Sequence, residues 1–230
     1  MIILNIDTAT EQASVCIAKE GEPLITRTNT EQKDHAAWIQ VAISELFKEA
    51  GLTMQHLQAV SVTEGPGSYT GLRVGMATAK GLCYALQIPL ITVSTLKAMA
   101  YGAKMQFLHL SNVNNEKVLL CPMIDARRME VFTAVYEVTL HEVISPKALI
   151  LDAFSYMETL NSERLLCFGN GAAKWKNISR YPNVLFIEEK IDIAKPLAKL
   201  ASSLYLAGNF ADLAYAEPVY IKEFYSYTKK

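Results

Sequence analysis

The stretch MIILNIDTATEQASVCIAKEGEPLITRTNT, residues 1–30, decides the fold class of this 230-residue chain. Ile2 to Asp7 is a nearly continuous apolar run, which is typical of a strand buried on both faces. Residues 12–19 form a second run, and the turn EGEP at 20–23 leads into a third at 24–30. These short connections predict three neighbouring antiparallel strands.

The rest of the first half alternates helices with strands. Apolar residues at helical spacing predict one helix between an N-cap at Asp34 and a C′ glycine at Gly51. The same patterns predict strands at 59–63 and 89–93 and helices at 71–87 and about 94–103. The order of this half is therefore βββαβαβα.

The second half repeats that order. We predict strands at 118–124, 130–137, 142–150, 165–168 and 184–187, and helices at 152–160, 172–179 and 194–208. The residues after equivalent strands also match. IDTATE at 6–11 resembles IDARRM at 124–129, which places Asp7 beside Asp125, and EGPG at 64–67 corresponds to FGNG at 168–171.

Two copies of βββαβαβα predict a two-lobed α/β protein with a cleft between the lobes. We expect an N-terminal lobe at residues 1–104 that carries the partner-binding helices. A C-terminal lobe at 105–230 follows, and its final residues are expected to pack back on the N-terminal lobe. The polar segment at 105–116 is the expected linker.

Composition limits the classes of function. The chain has 22 basic and 23 acidic residues and a formal net charge of -1, which argues against unaided binding of nucleic acid. Its four cysteines form no C-x-x-C pair, so we expect buried free thiols. No targeting segment is recognised, and no window approaches the roughly 18 apolar residues of a membrane span. We expect a cytoplasmic protein.

The loop GPGSYTGLRVG, residues 65–75, is the most informative motif. Its glycines permit close backbone approach, and a helix N-terminus favours an anion, so a phosphate site is possible. Alternatively, the glycines serve only a tight strand-to-helix turn. Asp7 would either orient a metal-bound water or accept N–H bonds that shape its own loop. The phosphate-loop-like residues are Asp7, Thr8, Gly65, Gly67, Ser68, Tyr69, Thr70 and Gly71.

Two helices are more apolar than packing on one sheet requires. The helix after the glycine loop carries a line of small residues, Gly71, Gly75, Ala79 and Cys83, among larger apolar residues. A helix that is apolar on most sides is buried on most sides, either in the core or against a partner subunit. No histidine pair has metal-ligand spacing. Arg127 and Arg128 fall on a hairpin turn, where they would meet a phosphate, an acidic partner or only solvent.

Five motifs together resemble the bacterial TsaB family, formerly called YeaZ: NIDTAT, GPGSYTGLRVGMATAKGL, PLITVSTL, DARRMEVF and FGNGA. The resemblance covers nearly the whole chain in order. It implies the actin/hexokinase-like (ribonuclease H-like, ASKHA) fold, in agreement with the duplicated order of elements. It also implies a role in forming N6-threonylcarbamoyladenosine at position 37 of ANN-decoding tRNAs.

The resemblance further implies a non-catalytic subunit with several partners. These are TsaD, the catalytic paralogue, bound through a helical bundle; TsaE, which joins with ATP; and tRNA, reached through the complex. A homodimer is expected when TsaD is absent. The partner helices correspond to about 35–50 and 69–87, and the expected interface residues are Trp38, Ile39, Ala42, Ile43, Leu46, Phe47, Arg73, Met76, Ala79, Lys80, Leu82 and Cys83.

One departure from TsaD-like chains bears on catalysis. Such chains carry H-x-x-x-H after the strand that resembles PLITV, and both histidines bind metal. The matching residues here are Thr95 and Met99, and neither replaces imidazole as a ligand. We therefore expect no intrinsic cofactor, with ATP and metal bound by partner subunits.

Three other functions stay open at this point. The first is a small ASKHA-type ATPase or phosphotransferase that acts alone through Asp7 and the glycine loop. The second is a glycoprotease, against which the missing histidine pair and the missing G-x-S-x-G elbow argue. The third is a structural homodimer without a role in tRNA modification.

Overall fold

The computed structural model describes residues 1–30, 35–107, 118–157 and 163–222. The strands in these ranges are β1 (Ile2–Asp7), β2 (Ala13–Lys19), β3 (Glu22–Asn29), β4 (Ala59–Gly65), β5 (Leu90–Ser94), β6 (Val118–Asp125), β7 (Glu130–Glu137), β8 (Glu142–Ile150), β9 (Arg164–Phe168) and β10 (Val184–Ile187). The helices are α1 (His35–Ala50), α2 (Tyr69–Leu86), α3 (Thr95–Phe107), α4 (Ala172–Lys176) and α5 (Ala194–Leu206). The expected N-cap at Asp34 and most of the expected linker, 108–116, lie outside the described residues.

The two sheets have the same topology. The first has the order β3-β2-β1-β4-β5, and the second, read in the matching direction, has the order β8-β7-β6-β9-β10. In each sheet the first three strands of the repeat pair antiparallel, and the last two add in parallel. The structure therefore confirms the duplicated α/β fold. It places Asp7 and Asp125 at the ends of equivalent central strands, β1 and β6.

One predicted helix differs in its described part. Residues 153–157 form turns where a helix over 152–160 was expected, and 158–160 lie outside the described residues. The Asp152 carboxylate accepts the N–H of Phe154 at 2.8 Å and the hydroxyl of Ser155 at 3.1 Å. Tyr156 then has a φ of 65°, which ends any helical path. The bonds at Asp152 are typical of a helix N-cap, and the positive φ of Tyr156 stops the helix from continuing.

Five layers build the molecule. Helices α1 and α2 cover the outer face of the first sheet, and α4 lies on the outer face of the second. Helices α3 and α5 fill the space between the sheets in one continuous apolar core. In this core Leu197 of α5 and Leu96 of α3 are almost fully buried. Burial of each such side chain contributes roughly 1.5–3 kcal/mol.

The halves of the chain are interleaved. Helix α5 belongs to the second half in sequence, yet it packs on every strand of the first sheet. Helix α3 belongs to the first half and contacts β6 and β7. The division into lobes at 104 and 105 therefore stays a prediction, because the helices between the sheets belong to both halves of the core.

All four cysteines are buried free thiols, as expected. Cys121 and Cys167 occupy the same register on the neighbouring strands β6 and β9, a relationship that their spacing in sequence does not reveal. Within the described ranges, no helix is both long enough and apolar enough to span a membrane.

Candidate functional site

Asp7 ends β1 and is buried, with 1% of its surface exposed. Its Oδ1 atom accepts the hydroxyl of Thr63 at 2.7 Å and the N–H of Ala9 at 3.1 Å. Desolvation raises the pKa of this carboxyl from 3.8 to about 6, although both hydrogen bonds oppose the shift. The bond to Ala9 is the loop-shaping contact that was one of the two alternatives for Asp7.

The glycines of the GPGSYTGLRVG loop face neighbouring backbone. A Cβ at Gly67 would lie 2.2 Å from the carbonyl oxygen of Ala9, and one at Gly71 would lie 2.0 Å from that of Thr8. The Ser68 N–H donates to Ala9 O at 2.7 Å, and the Thr8 hydroxyl donates to Gly71 O at 2.7 Å. The start of α2 therefore packs directly on the loop after β1.

The remaining loop residues complete the same junction. Ser68 caps α2 by accepting the N–H of Gly71 at 3.3 Å. Gly65 has a φ of 121°, and a Cβ there would lie 2.7 Å from Val219 O. Tyr69 packs against Tyr220, whereas Thr70 is exposed. The structure thus brings the predicted phosphate-loop residues together, but Gly65, Gly67 and Gly71 face the main chain of Val219, Ala9 and Thr8 rather than open space.

A cleft of about 300 Å³ opens beside Asp7. Ser14 and Gln12 line it from the first half of the chain, and Gly169 and Asn170 line it from the second. Its charged lining residues are Asp7, Glu11, Glu188, Glu189, Lys190 and Asp192. Lys176 pairs with Glu188, but the other four acidic side chains outnumber Lys190 and give the cleft a negative potential that opposes phosphate binding.

The residues of the glycine loop and the cleft do not fit a nucleoside triphosphate with its metal ion. The glycine loop offers no free cradle, and the cleft is acidic. Thr95 is fully buried, and Met99 lines the cleft in place of a ligand. Among the residues that the structure describes, no group of three or more His, Cys, Asp or Glu side chains could hold a metal ion.

The helix pair buries most of the expected interface residues. Ile39, Ala42, Ile43, Leu46, Phe47, Met76, Ala79 and Cys83 are 0–5% exposed and pack on the first sheet. Arg73 is exposed, and Trp38, Lys80 and Leu82 are partly exposed. A partner would therefore meet the opposite face of the pair, and the buried residues can affect that contact only through the position of the helices.

The outer face of α1 and α2 combines small and apolar residues. Val41 is 56% exposed and Tyr84 is 73% exposed. Ala77, Gly81 and Ala85 are also exposed, and a Cβ at Gly81 would meet nothing within 4 Å. The Gln40 side chain donates to Thr78 Oγ1 at 3.1 Å and joins the two helices. We call this surface, Val41, Ala77, Gly81, Tyr84 and Ala85, the outer helix face.

A C-terminal strap, residues 207–222, returns to the first sheet and α2. The Ala211 N–H donates to Leu90 O at 2.9 Å, and the Val219 N–H donates to Glu64 O at 2.7 Å. Lys80 Nζ donates to Ala214 O at 3.2 Å and to Ala216 O at 2.8 Å. The sequence suggested that the end of the chain packs back, but it did not identify these contacts. The only signal was the aromatic content of the tail.

The strap holds two of the expected interface residues. Arg73 Nε donates to the Tyr220 hydroxyl at 3.2 Å, and its guanidinium lies 4.4 Å from the centre of the Tyr69 ring. Lys80 is tied to the strap by the two carbonyl bonds. The strap therefore contacts the flank of α2 that carries these two cations, whereas none of the contacts described here between the strap and α2 involves the outer helix face.

Comparisons with known proteins agree with this fold. The family model described as TsaD, tRNA N6-adenosine threonylcarbamoyltransferase, matches residues 27–223. The tRNA threonylcarbamoyladenosine biosynthesis protein TsaB of Escherichia coli K12 is 27% identical over 96% of this chain and 95% of its own length. YeaZ from Pseudomonas aeruginosa superposes with a TM-score of 0.80 at 24% identity, covering 95% of this chain and 99% of that one.

A transferase relative matches only in part. The tRNA N6-adenosine threonylcarbamoyltransferase of Bacillus subtilis is 29% identical over 46% of this chain and 35% of its own length. The chain thus spans a full TsaB protein but about a third of the transferase. It belongs to the family described by the TsaD model, with the ASKHA fold, and within that family its full-length similarity is to proteins named TsaB.

Proposed function

We propose that this chain is the non-catalytic subunit of the complex that forms N6-threonylcarbamoyladenosine at position 37 of ANN-decoding tRNAs. In this role it binds and supports a TsaD-like catalytic paralogue. The observation that carries the proposal is the combination of full-length similarity to TsaB with a cleft whose residues do not fit a nucleotide. The fold is kept, whereas Thr95 and Met99 stand where TsaD-like chains carry their two metal-binding histidines.

The cleft argues against a phosphotransferase that acts alone. Such an enzyme needs donors for phosphate oxygens and a metal ion near the transferred group. Here the glycines of the loop contact Thr8 and Ala9, and Asp7 already accepts two hydrogen bonds. We propose that ATP and metal bind to the partner subunits and that the protein acts with them in the cytoplasm.

The outer helix face is the proposed surface for the TsaD-like paralogue. Its small residues allow the helices of a partner to approach closely, and Val41 and Tyr84 supply apolar area. A second copy of this chain would occupy the same face when the paralogue is absent, which gives an isologous homodimer. A TsaE-like ATPase and tRNA would then join the assembled pair.

A reconstitution tests this function. Transfer of the threonylcarbamoyl group to unmodified tRNA is measured with this chain alone, with the TsaD-like and TsaE-like proteins alone, and with all three. Each mixture contains the enzyme that makes the threonylcarbamoyl adenylate. Activity that requires all three supports an accessory subunit. Transfer by this chain without the TsaD-like protein, or equal transfer without this chain, would refute the proposal.

A further inference from the structure

The turn between β6 and β7 holds two arginines in an unfavourable backbone conformation. Arg127 has a φ of 71° and Arg128 a φ of 49°. Residues with a Cβ atom rarely adopt this left-handed region, and Asn, Asp and Gly are the usual occupants. A hairpin turn that needs positive φ values would ordinarily carry such residues. Backbone preference therefore does not explain two consecutive arginines here.

Side chains and backbone hold the turn rigidly. The Asp125 carboxylate accepts the N–H of Arg127 at 2.6 Å. The backbone N–H of Asp125 donates to Asn170 Oδ1 at 2.8 Å. Lys174 Nζ donates to Asp125 Oδ1 at 2.6 Å and to Glu130 O at 3.1 Å. These bonds join the turn to α4 and to the loop before it. The positions of both arginine backbones are thus set before any ligand arrives.

The carboxylates of the turn are already paired. Lys174 lies against Asp125, and Lys222 of the strap pairs with Glu130. Both Arg127 and Arg128 are exposed, and neither guanidinium makes an ion pair with a residue that the structure describes. Two positive charges are therefore left without an ion-pair partner among the described residues, because the nearby carboxylates of Asp125 and Glu130 pair with lysines, in a chain whose net charge is -1.

We propose that Arg127 and Arg128 form a contact for the phosphate backbone of RNA. This inference rests on the proposed function, which brings tRNA to the assembly. A guanidinium presents a planar fork of N–H donors that matches phosphate oxygens, and a rigid support limits the entropy lost on binding. Asn170 links this turn to the rim of the acidic cleft, which repels RNA and restricts the contact to the turn.

With these two arginines, a chain without a basic surface would contribute to tRNA binding. Two phosphate contacts are too few for tight binding by the chain alone, because affinity for RNA grows with the number of phosphates neutralised. In the assembled complex the same two contacts add to those of the partners. The contribution should then appear as a change in both affinity and salt dependence.

The test uses the complete assembly with the TsaD-like and TsaE-like partners and unmodified tRNA as the probe. The variant is Arg127→Asn with Arg128→Asn, because asparagine tolerates the left-handed conformation but carries no charge. Its matched control is Lys147→Asn with Arg180→Asn, two exposed cations elsewhere in the second half. Fluorescence anisotropy measures the affinity at several salt concentrations, and size-exclusion chromatography measures assembly.

We expect the double variant to fold and assemble like the wild type, with an equal or higher midpoint of unfolding. Its affinity for tRNA should fall about tenfold, and the slope of log K against log salt should decrease in magnitude by about 1–2. The control should change neither quantity by as much. A variant with Arg127→Asn and Arg128→Lys should bind tRNA more tightly than the double asparagine variant, because lysine keeps the charge but not the planar fork of donors.

Three outcomes would overturn the inference: unchanged affinity and slope in the variant, an equal loss in the control, or loss of assembly, which would assign the arginines to an acidic protein partner. Failure of the proposed function has a different signature. It would appear in the wild-type reconstitution, as transfer that does not need this chain. If wild-type tRNA binding is equal with and without this chain while transfer still requires it, the inference fails and the proposed function stands.

Discussion

The hydroxyl group of Tyr220 accepts a hydrogen bond from Nε of Arg73 at 3.2 Å, across 147 residues of sequence. The Tyr220 ring also packs against the Tyr69 ring, with 5.1 Å between their centres. The last described turn of the chain is thereby attached to the first turn of α2. The helix that starts at the glycine loop is consequently held from both sides, by residues 8–9 and by the strap.

Removal of the Tyr220 side chain should loosen the strap. We expect Tyr220→Ala to lower the free energy of unfolding by about 1 kcal/mol, since it deletes an aromatic pair. It should also speed hydrogen exchange of the Val219 N–H, which bonds Glu64 O at 2.7 Å. Tyr215→Ala is the control, because that side chain is 83% exposed. Unchanged exchange at Val219 in the Tyr220 variant would contradict the role given to this contact.

Two glycines of α2 should respond to alanine in opposite directions. A Cβ at Gly71 would lie 2.0 Å from Thr8 O, so Gly71→Ala should destabilise the protein by about 3 kcal/mol through a forced shift of the loop. Gly81 has nothing within 4 Å of that position, so Gly81→Ala should stabilise it by about 0.5–1 kcal/mol. Chemical denaturation measures both. A mild effect at Gly71 would mean that the close packing is not needed.

The buried carboxyl of Asp7 should make stability depend on pH. Its pKa is about 6 in the folded state and 3.8 ordinarily, so the folded state holds its proton more tightly. The contribution of this carboxyl to the free energy of unfolding is fully present below pH 4 and is lost as the pH rises through about 6. Its full size is on the order of 3 kcal/mol. Stability should therefore fall across this window and then level off.

Asp7→Asn isolates this effect, because the amide oxygen can still accept from Thr63 and Ala9. We expect the variant to be more stable than the wild type above pH 6, with the difference shrinking towards zero at pH 4. Urea midpoints at pH 4, 5, 6 and 7.5 measure it. A difference that does not vary with pH would show that the carboxyl does not titrate in this range.

The outer helix face should control binding of the TsaD-like paralogue. Val41→Glu and Tyr84→Ala should each weaken association at least about tenfold, because apolar residues at the centre of an interface dominate its energy. Neither should affect folding, since both side chains are exposed. Ile150→Glu on β8 is the control, at 71% exposure. Calorimetric titration with wild-type affinity in both helix variants would exclude this face.

A charge at Ile43 or Met76 is not a usable test of the same interface. Both residues were expected at the partner surface, yet they are 2% and 3% exposed and pack on the sheet. A buried, unpaired charge would disrupt the packing of the helix on the sheet, so binding of a partner to the intact protein could not be measured. Loss of binding in such variants would therefore report folding.

The sequence by itself determined the architecture. The apolar runs at 2–7 and 118–124 predicted the central strands of both sheets. The matching residues at the ends of these strands, Asp7 and Asp125, predicted the duplication. This is possible because periodicity and turn residues are local signals that each element carries in its own sequence. The prediction of a helix at 152–160 was wrong in its described part, because Tyr156 adopts a positive φ that a helix cannot accommodate.

Only the tertiary structure decided what the informative residues contact. A glycine is equally suited to a phosphate and to a neighbouring carbonyl, and Gly67 and Gly71 proved to face Ala9 and Thr8. An apolar helix gives no sign of which side meets the sheet and which side stays open. The charge left over at Arg127 and Arg128 depends on Lys174 and Lys222, which are distant in sequence. Such contacts join segments far apart in the chain, and no local pattern encodes them.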